Sequence, residues 1–355
     1  MFGDTSYNVS DFNLQPKFYL RLMSAFSCLG FPVNLLGLCV IFRYTPEHLK
    51  TIRCHVANQQ LWATLQDFLL GFCIAPVFFL PMPAGCPTGF FATLSIPTEV
   101  QFCMAVLVMC LSFSSVSHVV LYKWQLILPN HHLCKLPAKL KMAVSSTLYF
   151  SVPIFCIFAT DLFENQQEQK KLLAENYPIY EPVTKLPNSL VFYLPQFNKF
   201  TRFLMVFGAI FGFHIFLIGF LTWSSIVQKK ALEKYLTSET DGNTKQYVKE
   251  IKVQLAVMMG TLLKPGIFIG LVIFVHIWNA QELIESAFFL VSISGLINTI
   301  SMFCVEPNYR QAAKYLICKA LGRDRGEKLS MDGVKYRTNE PPTPVNNSQV
   351  TILET

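Results

Sequence analysis

The sequence predicts an all-α integral membrane protein, a seven-transmembrane helix bundle with its N-terminus outside and its C-terminus in the cytosol. Three observations carry that expectation. Of 355 residues, 52% are hydrophobic and only 14% are charged, against about 25% charged in ordinary soluble domains. Seven apolar runs are each long enough to cross a ~30 Å hydrocarbon core at 1.5 Å per residue. The basic residues gather in alternate connections between those runs, as membrane orientation requires.

Residues 1–17 form the predicted extracellular N-terminus, with no basic region joined to an apolar core and hence no cleaved signal peptide. The Asn8-Val9-Ser10 sequon falls on this outer side and marks Asn8 for glycosylation. The bundle occupies 18–305, with spans at 18–42, 56–81, 99–122, 142–161, 200–227, 251–278 and 284–305. Continuous apolar runs of this length are helices, because lipid satisfies no backbone group. Arg43, Lys50 and Arg53 follow the first span, Lys123, Lys135, Lys139 and Lys141 the third, and Lys229, Lys230, Lys234, Lys245, Lys249 and Lys252 the fifth. The 82–98 connection has no basic residue, and the long loop after Asp161 balances lysines against glutamates. Residues 307–321 read as an amphipathic membrane-surface helix, with Tyr309, Ala312, Ala313, Leu316, Ile317 and Ala320 on one face and Cys318 opposite as an unmodified thiol. The remainder, 322–355, is polar and reads as a disordered cytosolic tail.

Composition and motifs exclude several classes. The net charge of +7 lies in loops, so it orients the chain and does not mark nucleic-acid binding. Eleven cysteines, an odd number without a C-x-x-C pair, build no complete disulfide framework and offer no metal-ligand spacing. No phosphate-binding loop, nucleophile elbow or H-E-x-x-H pair occurs. We therefore expect no enzyme, cofactor or metal, and read His131-His132-Leu133-Cys134 as solvated surface.

The polar residues inside the spans are the candidates for function. Asn34, Asp67 and Asn298 lie at comparable depth, and read as a polar core that repacks between two states around an ion or water, or as a static hydrogen-bonded tie. Lys264, beside Pro265 in the sixth span, is costly unless it pairs with Asp67, receives an acidic ligand group, or snorkels to a water-filled cavity. Phe203, Phe207, Phe211 and His214 form one stripe on the fifth span. With Phe274, His276 and Trp278 they could line an apolar ligand pocket, although such stripes also face lipid or neighbouring helices. Tyr177, Pro178, Tyr180, Phe192 and Tyr193 could form an aromatic lid over it.

The block YTPEHLKTIR (44–53), a span with a central acid, the turn LPMPAGCPTG (80–89) and the closing SISGLINTISMFCVEPNYRQA (292–312) together resemble the nematode serpentine receptors of class H, seven-helix chemoreceptors. The resemblance runs from the first span to about Leu321. It maps Thr45 and Pro46 onto the first inner loop, Asp67 onto the second-span acid, Pro81, Gly85 and Gly89 onto the outer turn, and Tyr309 and Arg310 onto the closing motif. The chain departs from its relatives at Tyr122, Lys123 and Trp124, at Asn308, and at Ser294. The resemblance implies a plasma-membrane receptor of chemosensory neurons and their cilia, which binds a small environmental chemical and signals to a heterotrimeric G protein. The inner-end contacts expected for that protein are Lys123, Trp124, Lys229, Lys230, Lys249 and Arg310, residues that equally suit anionic lipid. The alternatives are a seven-helix ligand-gated channel, whose N-terminus would lie inside, and a receptor-like protein that no longer signals.

Overall fold

The structure is a computed structural model that describes residues 12–45, 52–80, 83–129, 132–160, 162–163, 165–192, 197–232, 238–275, 277 and 280–322. Asn8, Pro46, Pro81, His131, Tyr193, His276, Trp278 and the predicted 322–355 tail beyond Gly322 lie outside the described residues, as does the side chain of Phe274. The chain divides into two compact units, 1–314 and 315–355. The first contains every span. In the second, the end of the last helix places Lys319 over the Tyr315 ring at 5.9 Å.

The first span is α1 (Lys17–Tyr44), and the second begins as α2 (Arg53–Phe68) and continues through a π-helical turn, Leu69–Ile74. Here the structure departs from the expected helix to 81. Ala75 adopts a left-handed φ of 41°, and the chain enters β1 (Pro76–Phe78). Pro76 is the cause, since a proline disfavours the α conformation at the residue before it. β1 pairs antiparallel with β2 (Ala84–Pro87), placing Val77 opposite Cys86. A short α3 (Phe90–Thr93) leads to α4 (Thr98–Ile127), followed by α5 (Ala138–Thr160).

The long loop then folds as α6 (Gln166–Asn176), a 3-10 turn, α7 (Glu181–Thr184) and β3 (Leu190–Val191). β3 completes the three-stranded sheet by pairing Leu190 with Gly85. Apolar residues hold this cap together: Tyr19, Val77, Phe79, Leu173, Tyr180, Val183 and Val191 are all buried in one cluster. The Tyr19 hydroxyl ties it to the first span by donating to the Pro76 carbonyl at 2.9 Å. Of the expected lid residues, Tyr180 is buried in the cap, Tyr177 packs against its edge and Phe192 belongs to the bundle core.

α8 (Phe197–Leu232) is the fifth span, and the sixth consists of α9 (Ser238–Met258), a π-helical turn at Met259–Leu263, and α10 (Lys264–Val275). The π turn lets Lys264 N–H reach the Met259 carbonyl, an accommodation expected next to Pro265, which has no N–H to give. The seventh span is broken into α11 (Gln281–Ser292) and α12 (Ser294–Val305), bent by 48° at Ile293. α13 (Pro307–Ala320) follows. Among the described residues, five helices are long and apolar enough to cross a membrane and the bent pair supplies a sixth. The second span is less apolar because Asn58, Gln59, Gln60, Gln66 and Asp67 lie within α2.

Candidate functional site

The break in the seventh span leaves the first N–H groups of α12 without intrahelical partners, and a side chain from the second span satisfies them. Asp67 Oδ1 accepts the Gly295 N–H at 2.8 Å and Oδ2 accepts the Leu296 N–H at 2.6 Å. A carboxylate at a helix N-terminus also meets the positive end of the helix dipole. Gly295 allows the approach: a Cβ there would stand 2.6 Å from the Ala63 carbonyl oxygen and 2.8 Å from Asp67 Oδ2.

The first span joins through Asn34, which is fully buried. Its Nδ2 donates to Asp67 Oδ2 at 3.2 Å, and its Oδ1 accepts the Thr299 hydroxyl at 2.6 Å. Gln60 Nε2 donates to Thr299 Oγ1 at 2.6 Å. One network therefore links spans one, two and seven. Asn298, expected in it, is displaced by its neighbour Thr299, since one helical residue turns the side chain by 100°. Lys264 is also absent from it. That lysine is exposed, and the expected pair with Asp67 is replaced by backbone and amide donors.

Asn298 instead lines two small cavities, of about 40 and 30 Å³, which also share Gln59 and Gln254. The second is bounded by Gly295 and the first by Lys123, Glu250, Glu306 and Tyr309. Each is large enough for water. Among the described residues, Gln60 Oε1 and Gln254 Oε1 are buried acceptors without a protein donor, and both residues line the larger cavity. The two polar-lined cavities thus reach from Gly295, beside the Asp67 cap, to Lys123 and Glu250 at the end of the bundle opposite the sheet.

At that end, Lys123 Nζ lies 2.8 Å from Glu250 Oε2, with both side chains largely buried. The ion pair joins α4 to α9. Gln246 extends it, donating to Glu250 Oε1 at 3.1 Å and to Glu306 Oε2 at 2.9 Å. Trp124 Nε1 donates to Ser224 Oγ at 2.9 Å and joins α4 to α8. Tyr309, whose hydroxyl lies 3.2 Å from Thr45 Oγ1, is buried, and burial pushes its phenol pKa upward. The expectation that Lys123 and Trp124 face a cytosolic partner is thereby corrected: α4 continues to Ile127, so both lie inside the helix and pack inward. Lys230, Lys249 and Arg310 are exposed and Lys229 is half-buried.

The aromatic stripe is packed into the bundle. Phe203, Phe207 and Phe211 meet in sequence along α8, while Phe203 also meets Phe102, and Phe211 meets Phe113 at 3.8 Å between centroids. His214, 1% exposed, shares a 2.8 Å hydrogen bond between Nδ1 and Ser117 Oγ. These residues face α4, which fills the space an open pocket would need. Gln60, Thr299, Glu250 and Glu306 escaped the sequence reading. Glu250 stood just before an apolar run, and only α9's extension beyond the bilayer-length segment brings it opposite Lys123.

Residues 14–319 match the family described as serpentine type 7TM GPCR chemoreceptor Srh. The chain belongs to the Srh family. The Srh assignment makes this chain a multi-pass membrane protein of seven spans, with the second and seventh spans supplied by the interrupted helices above, and a chemoreceptor by family. No curated protein matches the chain.

Proposed function

We propose that this Srh protein is a G-protein-coupled chemosensory receptor of the plasma membrane, placed in sensory-neuron cilia as its family implies. It binds a small environmental chemical from the sheet-capped side and signals to a heterotrimeric G protein at the opposite end. The orientation puts the N-terminus and sheet outside, and Lys229, Lys230, Lys249 and Arg310 in the cytosol, in keeping with the charge distribution. α13 then lies on the inner leaflet.

The Lys123–Glu250 ion pair is the observation that carries this reading. It bridges α4 and α9 at the end where a G protein would enter, and two cavities that share Gln59, Gln254 and Asn298 reach from it to Gly295 beside the Asp67 cap. In the resting state the pair holds the two helices together. A ligand that favours their separation exposes the inner faces, and a G protein that binds there raises ligand affinity by the same factor. Phe203, Phe207, Phe211 and His214 transmit ligand contact through their packing on α4, with Phe274, His276 and Trp278 from the sixth span as further candidate contacts.

The test is expression with a promiscuous G protein and a calcium readout, against volatile and water-soluble chemicals. A concentration-dependent response that vanishes without the G protein supports the receptor. A ligand-evoked current that persists without any G protein would establish a channel instead, and an N-terminal tag hidden from antibody on intact cells would overturn the orientation.

A further inference from the structure

Lys264 stands on the side of the sixth span that leaves the bundle. It is exposed and aligned with Ile267, Leu271 and Val275, which are 56%, 50% and 63% exposed; at i, i+3, i+7 and i+11 these residues form one helical stripe. Away from this stripe, α10 buries Val272 and Ile273 against the core that holds Phe200 and Phe203. Among the described residues the Lys264 side chain has no ion pair or hydrogen bond, and Asp67 is already satisfied by Asn34, Gly295 and Leu296.

Depth makes this cation unusual. The apolar stretch runs from 253 to 275, and Lys264 is eleven residues from either end, roughly 16 Å at 1.5 Å per residue. A four-carbon stem cannot carry the ammonium that far, so snorkelling does not reach the headgroups. Hydrocarbon offers no counter-charge, and a cation at mid-depth in lipid is costly and normally paired.

We propose that this face of α10 docks a transmembrane helix of another membrane protein, one that carries a carboxylate at the middle of its own span and pairs it with Lys264. Charge complementarity selects that occupant over a second copy of this chain. Asp67 and Glu285 are only 4% and 8% exposed and cannot be offered outward, and the exposed Glu282 stands in the first turn of α11, at the end of its span and not at mid-depth. A two-fold pair through this face would also set lysine against lysine. The inference stands whether or not the receptor couples to a G protein.

A single-pass leucine-alanine helix with one central Glu, made in both orientations and fused to a fluorescent acceptor, tests the proposal beside full-length receptor carrying the donor. Energy transfer in cells should exceed that of the Gln and Leu versions of the helix severalfold. It should fall to their level with Lys264→Leu and return when Lys264→Glu is paired with a central-Lys helix. Surface labelling of each variant separates lost docking from lost folding, and the charge-reversed combination tests pairing even if one single variant folds poorly. Equal transfer from the Glu and Leu helices, or no rescue on reversal, would overturn the proposal. So would receptor self-association abolished by Lys264→Leu, which would assign the face to a second copy.

Discussion

Asp67, in the middle of the second span, is the N-terminal cap of the helix that starts at Ser294: its two oxygens take the N–H groups of Gly295 and Leu296. The acid that is hardest to place in a membrane thus closes the break in another span. Asp67→Ala removes three donors' acceptor at once, counting Asn34, and each buried unsatisfied group costs about 1–3 kcal/mol. The expected outcome is a large loss of thermal stability in detergent and of surface expression, with Asp67→Asn milder because its carbonyl still accepts. A melting temperature for Asp67→Ala equal to that of the unaltered protein would exclude the capping role.

Gly295→Ala probes the same contact from the other side. The added methyl would sit 2.6 Å from a backbone oxygen, and backbone cannot give way as a flexible side chain does. We expect a stability loss comparable to overpacking a core, about 1–3 kcal/mol, read as a lower denaturation midpoint.

The Lys123–Glu250 pair predicts a functional effect. Breaking a buried pair by removing one partner costs about 3–5 kcal/mol of the state that contains it. Lys123→Met or Glu250→Gln should therefore raise ligand-independent signalling several-fold, and the exchange Lys123→Glu with Glu250→Lys should bring it back toward the basal level. Basal calcium or second-messenger output measures this directly. Single changes that leave basal output flat, in receptors still able to respond to agonist, would remove the pair from the mechanism.

Ser117→Ala deprives His214 Nδ1 of its 2.8 Å partner in a site that is 1% exposed. The unpaired ring nitrogen should cost about 1–3 kcal/mol, whereas Ser117→Thr keeps the hydroxyl and should lose less. Thermal melts of the three proteins rank them.

Cys86 reports on the cap. It is a free cysteine in β2, 7% exposed, and burial pushes its thiol pKa up to about 11. Alkylation proceeds through the thiolate, so the folded protein should react slowly at pH 7.5 and about tenfold faster for each pH unit up to the region of pH 10. Denatured protein should level off near the ordinary thiol value of about 8.5. Mass spectrometry of iodoacetamide-treated protein follows both. Fast alkylation of folded protein at neutral pH would show that the sheet does not cover this strand.

How much of this was legible beforehand differs from element to element. The first, third, fourth and fifth spans could be read from run length alone, since apolar length against bilayer thickness is a local property. The second span was expected to stay helical to 81, but Pro76 turns it into a strand, and the pairing of that strand with residues 84–87 and 190–191 is a long-range contact. Asn34 and Asp67 were legible as partners in depth. Lys123 and Trp124 were placed at a surface because the apolar run stops at Tyr122, while the helix itself continues.

By itself, then, the sequence determined that apolar stretches cross a bilayer, which connections carry positive charge, and how far along its span each polar residue sits, because these depend on composition and on 1.5 Å per residue. Only the tertiary structure decided the direction in which each polar residue points. A step of 100° separates Thr299, inside the network, from Asn298, on the cavity wall, and the rotation of α10 sends Lys264 outward while Asp67 turns to the backbone of the seventh span. Those rotations are set by which helices pack against which, and no single span contains that information.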